Sequence, residues 1–221
     1  QDQAYEYLSI TDEPALIANL KVQIEKLNKV EFSDTEWERF FAESISSEKD
    51  GIIEKTRRFQ EDHIRVLKRD NGESKNIYLI DKRYIHNNSV QVINQYEAEG
   101  KFLNRYDVTI LVNGLPLVHV ELKRRGVDLR EAFNQIDRYH RDSFWSGSGL
   151  FEYVQLFVIS NGTLTKYYSN TVRSQHLGEK GAGSRSRKTS NSFAFTNWWA
   201  DAANKPIEDL PGFTKTFFAK H

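Results

Sequence analysis

Asp107, Glu121 and Lys123 stand in the pattern Asp-x13-Glu-x-Lys, two carboxylates and one ammonium group in a short stretch of chain. Carboxylates brought side by side repel unless something offsets them. A hard divalent cation does so, and Mg²⁺ typically takes one or two carboxylates together with waters and a substrate phosphate. A lysine two residues beyond a carboxylate shares its strand face. From there it can stabilise charge developing at phosphorus or orient an attacking water. The chemistry such a set would support is metal-assisted phosphodiester hydrolysis. The spacing alone does not separate this from a solvated strand face carrying cross-strand salt bridges.

Two strands must position these residues, YDVTILV (106–112) and LVHVELK (117–123). With regular alternation, Asp107, Thr109 and Leu111 share one face, and so do His119, Glu121 and Lys123. Asn113-Gly114 invites a two-residue turn with residue 112 opposite 115, which pairs Asp107 with Val120. A three-residue loop over 113–115, with 112 opposite 116, sets Asp107 opposite Glu121 and unites the apolar side chains on the other face. Burial therefore selects the longer loop. His119 shares the Glu121 face. With no second histidine at ligand spacing it reads as a neighbour of the site rather than a metal ligand.

A helix follows from about Asp128, its N-cap, to Arg141, with Leu129, Ala132, Phe133 and Ile136 apolar. Gln135 and Tyr139 are four residues apart and project together, either into the site or as a buried pair completing the helix face. Arg124 and Arg125 precede this helix and Arg138 and Arg141 lie on it, which suits a phosphate backbone beside a metal centre. Lys180, Arg185, Arg187 and Lys188 lie in a Gly/Ser-rich stretch that reads as a loop, either following DNA phosphates or simply solvated.

Further out, residues 12–29 place Leu16, Ile17, Leu20, Ile24 and Leu27 on one helical face. Ser33 and Glu36 form a capping box ahead of Trp37, Phe40 and Phe41. A short helix is expected over 52–60. Strands are expected over 63–68, 77–81, 90–96 and 163–169, and a buried one over YVQLFVIS (153–160). Trp198-Trp199 could stack on bases but reads better as core or interdomain packing, and Tyr167-Tyr168 must face opposite ways on a strand. The expected fold is α+β, with a mixed, mostly antiparallel sheet flanked by helices. Its expected parts are a helical portion over 1–60, a core over 61–176, the basic loop over 177–192 and a C-terminal segment over 193–221, all within one structural domain.

Composition narrows the class. The 221 residues carry 31 basic and 31 acidic side chains, which argues against a histone-like binder. The charge is polarised, however. Residues 1–50 hold 12 acids and 5 bases, whereas residues 101–190 hold 8 acids and 14 bases, so the segment with the candidate site is the basic one. No cysteine is present, which excludes a thiolate nucleophile and a Cys-ligated zinc and is compatible with a cytoplasmic setting. No apolar run is long enough to span a membrane, and the first residues lack the pattern of a secretory signal. Methionine is absent even at position 1, so both ends are read as cuts.

Asp107…Glu121-Leu-Lys123…Gln135-x3-Tyr139 resembles the PD-(D/E)xK nuclease signature with the Q-x3-Y element of its RecB-like branch. The phrases VNGLPLVHVELK, EAFNQIDRY and FVISNGT resemble the N-terminal nuclease domain of the type I restriction enzyme R (HsdR) subunit, and the likeness covers nearly the whole chain. The resemblance implies an α/β/α-like restriction-endonuclease core and a Mg²⁺-dependent endonuclease for double-stranded DNA, with Asp107 and Glu121 as metal ligands and Lys123 as the catalytic lysine. Gln135 and Tyr139 would help position DNA or the site residues. Tyr106 stands where the family's proline would be. An upstream acidic ligand, Glu25 or Glu54, is a further possibility that the sequence leaves open. The family also implies modification and specificity subunits as partners and an ATP-driven motor in the same chain. The nearest approach to a phosphate-binding loop, Gly178-x4-Gly183, is followed by Ser184-Arg185, so ATP is expected to bind only in the full-length subunit. Two alternatives stay open: a DNA-binding or assembly module of the same fold, and a repair nuclease of the same superfamily.

Overall fold

The computed structural model describes residues 5–47, 50–100, 103–173 and 195–219. Strand β1 (Glu6–Tyr7) leads into helix α1 (Glu13–Asn28), whose N-cap Asp12 accepts from the Ala15 amide and whose end is marked by Lys29 at φ 50°. Leu16, Leu20 and Ile24 of α1 are fully buried, as their spacing requires, while Ile17 and Leu27 are partly covered. Helix α2 (Asp34–Phe40) starts at the expected capping box and runs into a π-helical turn (Phe41–Ile45). Helix α3 (Ile52–Gln60) follows.

Strands β2 (Ile64–Lys68) and β3 (Ser74–Tyr78) form a separate antiparallel pair, the second three residues earlier than expected. The main sheet is built from β4 (Val90–Glu99), β5 (Leu103–Val112), β6 (Leu115–Leu122), β7 (Leu156–Ser160) and β8 (Thr165–Ser169), in the order β1-β4-β5-β6-β7-β8. Its β1–β4 and β6–β7 pairs are parallel and the others antiparallel. Helix α4 (Leu129–Asp142), capped by Asp128, makes the crossover from β6 to β7. Helix α5 (Leu210–Phe217) comes last.

The sheet is covered on both faces. On one, Ile93, Leu111, Phe157, Ile159 and Tyr168 join α1 and the Ala132–Phe133–Ile136 face of α4 in the main core. On the other, Val120 and Val158 meet Phe213 of α5, with Trp199 and Tyr167 packed against them. Strand β7 thus contributes to both cores, as its unbroken apolar run implies. Tyr167 and Tyr168 point opposite ways, and Trp199 packs as expected. Trp198 stays more exposed, with the Lys166 ammonium over its ring.

The β5–β6 connection corrects the expected three-residue loop. Asn113 (φ 50°) and Gly114 (φ 82°) make a two-residue turn with Val112 opposite Leu115 and Leu111 opposite Pro116. A side chain at Gly114 would strike the α1 backbone, since an added Cβ lies 2.6 Å from Leu20 Cα. The register then shifts at a bulge, and Ile110 pairs with Val118, Thr109 with His119 and Val108 with Val120. Leu117 is the extra residue. The turn obeys local chemistry, and the bulge restores the pairing that burial demands, in which Asp107 comes next to Glu121.

Regular alternation on β5 also fails at one point. Gln95 on β4 has φ 54°, and the β4–β5 ladder skips it and its counterpart Asp107. Tyr106 and Thr109 are consequently both buried, and the Tyr106 ring lies against His119 (5.5 Å) and Tyr139 (4.7 Å).

His140 of α4 lies between Phe144 and Phe157 (4.8 and 4.9 Å), its Nε2 buried without a partner among the described residues. Burial, then the charge of Arg173, push its pKa well below the usual value. The unfolded chain takes up that proton near pH ~6.5 while the folded one does not, so this contribution to stability is present above ~6.5 and lost as pH falls below it. Between pH 7.5 and 5.5, His140→Phe should lose about 1 kcal/mol less stability than the parent chain, read from urea midpoints. Equal losses would show that His140 is not held neutral.

Candidate active site

Glu121 comes from the end of β6, and its side chain has no solvent exposure. Its Oε1 accepts from Lys123 Nζ (2.8 Å), and its Oε2 lies 3.3 Å from His119 Nε2. Lys123 follows the last β6 residue, where its amide still bonds to Ser160 O of β7 (2.8 Å), so the lysine starts from a fixed backbone. Its ammonium also donates to Gln135 Oε1 on α4 (2.5 Å). Gln135 Nε2 in turn donates to the Tyr139 hydroxyl (2.5 Å), and that hydroxyl donates to the Arg105 carbonyl of β5 (3.0 Å). Burial, then the charge on Glu121, raise the Tyr139 pKa, which keeps the phenol protonated for this role. The i,i+4 pair of α4 is therefore a brace between the lysine and the strand that carries Asp107.

Asp107 sits half-buried where the β5–β6 ladder ends, and its Oδ2 accepts from the Leu122 amide (2.8 Å). Burial first, then the charge on Glu121, raise its pKa, only partly opposed by the Leu122 amide and Lys123. Two carboxylates that disfavour each other's charge form a hard-oxygen donor pair that a divalent cation would neutralise.

A cleft of about 650 Å³ opens beside them, lined by Arg105, Asp107, Gln135, Arg138, Tyr139 and Arg141 among others. Five of the expected site residues, Asp107, Glu121, Lys123, Gln135 and Tyr139, are thus brought together; Asp107, Gln135 and Tyr139 line the cleft with Arg138 and Arg141, while Glu121 and Lys123 do not. Arg141 also pairs with Asp137 (3.2 Å). Arg124 and Arg125 are exposed on the β6–α4 connection and do not line the cleft. Lys180, Arg185, Arg187 and Lys188 lie outside the described residues.

Neither upstream acid reaches the site. Glu25 accepts from the Phe32 amide (2.9 Å), and Glu54 caps α3 through the Gly51 amide (3.1 Å). Among the described residues no group of three or more His, Asp or Glu side chains could hold a metal ion. The Asp107–Glu121 pair could supply the one or two carboxylates Mg²⁺ usually requires. Sequence reasoning missed Arg105, whose carbonyl anchors Tyr139. Its place two residues before Asp107 was the available signal.

The family model for the type I restriction enzyme R protein N terminus matches residues 1–176, and the chain belongs to that family. It is 48% identical over 221 residues to the type I restriction enzyme EcoprrI endonuclease subunit of Escherichia coli, covering 100% of this chain and 66% of that protein. It is 36% identical over 225 residues to the type I restriction enzyme SsaAORF53P endonuclease subunit of Staphylococcus saprophyticus, covering 98% and 21%. It is also 33% identical over 111 residues to the putative type I restriction enzyme MjaIXP endonuclease subunit of Methanocaldococcus jannaschii, covering 47% and 10%. The chain therefore spans 66% of the first of these proteins and 21% of the second. Among the described residues, no helix is long and apolar enough to cross a membrane.

Removing one partner of a buried ion pair leaves an uncompensated charge. Lys123→Met should cost about 3 kcal/mol of unfolding free energy, and adding Glu121→Gln should recover most of it. Unchanged urea midpoints in the single variant would show that the pair does not hold Glu121.

Proposed function

We propose that this chain is the Mg²⁺-dependent endonuclease part of a type I restriction R subunit, hydrolysing phosphodiester bonds of double-stranded DNA. The observation that carries the reading is the braced set Glu121–Lys123–Gln135–Tyr139, which joins the buried Glu121 and its lysine to the cleft that Asp107, Gln135 and Tyr139 line. A surface salt-bridge patch would be solvated, whereas here the glutamate is fully buried and its lysine is held from two elements.

Asp107 and Glu121 would hold the cation, which when bound supplies Lewis-acid stabilisation and a more acidic water. Lys123, held by Glu121 Oε1 and Gln135 Oε1, presents its remaining N–H to a phosphate oxygen as negative charge builds there. Water adds to phosphorus, the bond to the leaving sugar oxygen breaks, and the water's proton is passed on so that the leaving oxygen departs protonated. Arg138 and Arg141 line the cleft where the flanking phosphates would run, and Arg124 and Arg125 extend that positive surface beyond Lys123.

DNA delivery belongs to other parts of the assembly. An ATP-driven motor of the same subunit would translocate DNA, modification and specificity subunits would select the site, and the whole would work in the cytoplasm. ATP would bind in that motor and not in this part.

Conversion of supercoiled plasmid to nicked or linear DNA tests the reading, with this chain and with the full subunit in its complex. Mg²⁺-dependent cleavage is expected, falling on the order of 10²-fold or more in Asp107→Asn and Lys123→Ala. Cleavage that survives both changes would overturn the assignment. DNA binding without any cleavage by the complete assembly would favour a non-catalytic module.

A further inference from the structure

His119 is fully buried, and its ring meets Tyr106, Tyr139 and Phe144 edge-on, with centroids at 5.5, 5.8 and 5.8 Å and interplanar angles of 74°, 83° and 74°. Packing on three sides fixes the ring plane. One nitrogen, Nε2, is 3.3 Å from Glu121 Oε2, and the other, Nδ1, is buried with no hydrogen-bond partner among the described residues.

These contacts decide which nitrogen carries hydrogen. An ionised carboxylate only accepts, so Nε2 must be the donor. Hydrogen on Nδ1 would then be a buried donor with nothing to bond, whereas an unmet acceptor is tolerated more readily. The arrangement fits the Nε2–H tautomer with Nδ1 bare.

We propose that His119 is a positioning residue, whose Nε2–H holds Glu121 Oε2 while Lys123 holds Oε1, so that the Glu121 carboxylate is fixed in orientation before a cation arrives. The inference rests on the nuclease reading above, in which Glu121 is a metal ligand. Both arms of the clamp end on Tyr139, which packs against His119 and also accepts from Gln135, the partner of Lys123. Asp107, by contrast, has its Oδ2 bonded to the single Leu122 amide. Glu121 is the fixed ligand and Asp107 the adaptable one. Hydrogen-bonding partners of metal-ligating carboxylates typically contribute 10- to 100-fold to metal affinity.

Two measurements on the 221-residue chain test this. Long-range ¹H–¹⁵N spectra of the histidine-labelled chain, with the His119 signals assigned by their loss in His119→Gln, should show hydrogen on Nε2 and a bare Nδ1. Hydrogen on Nδ1 alone overturns the proposal, and this reading needs no variant at position 119 to keep its native packing. Calorimetric titration with Mn²⁺ alone should show affinity lost in Asp107→Asn and about tenfold weaker binding in His119→Leu. In His119→Gln, whose amide nitrogen can reach the Nε2 position, affinity should return to within about threefold of the parent. Parent-like affinity in His119→Leu, with binding still lost in Asp107→Asn, overturns the role of His119 and leaves the nuclease reading standing. Parent-like affinity in Asp107→Asn overturns the nuclease reading, and this proposal with it.

Discussion

A carboxylate with no access to solvent can stay ionised only where other groups supply what water would have supplied, and Glu121 is that carboxylate. Much of the architecture around it meets this requirement. Strand β6 brings His119, and the residue after its end brings Lys123, from two residues either side, one to each oxygen. Helix α4 braces the lysine through Gln135 and Tyr139, and Tyr139 returns to the carbonyl of Arg105, two residues before Asp107. Two strands and a helix are thus tied through one buried charge.

The position of that charge depends on a single unit of register. A two-residue turn followed by a regular ladder would have placed Val120 opposite Asp107 and turned the carboxylates apart. The bulge at Leu117 moves β6 by one residue and puts the apolar side chains of both strands against Val158 and α5. Burial of that second face and assembly of the site are therefore one constraint. The crossover through α4 then lays Gln135 and Tyr139 over the end of β6, and Ala132, Phe133 and Ile136 of the same helix fill the main core. Fold stability and site geometry share the same elements.

Much of this was legible in the sequence wherever the signal is local or periodic. The Ser33–Glu36 capping box, the Asp128 cap of α4, the buried stripe of α1 and the doubly buried β7 all stand as their residues imply. The site pairing was legible too, because burial of apolar residues constrains register over a whole hairpin. The bulge was not, since Leu-Pro-Leu carries no mark of which residue will be left unpaired. The break in alternation at Asp107 was equally hidden, because it arises across the ladder at Gln95, a non-glycine with positive φ. Glu25 and Glu54 had the right chemistry for a third ligand, but each satisfies a nearby backbone amide. Strand β1 is two residues long and depends on pairing with β4, while the first turn of α5 holds Pro211-Gly212, which reads as a turn until the Asp209 cap is seen in place.

On the proposed function, Asp107 and Glu121 form one two-carboxylate cation centre beside Lys123. Anomalous diffraction from crystals of this chain soaked in Mn²⁺ tests it most directly. One ion is expected within coordinating distance of both carboxylates, with the Glu121 side chain unmoved and Asp107 adjusted to meet it. Saturating Mn²⁺ that binds elsewhere, or leaves the pair with no ion between them, would contradict it.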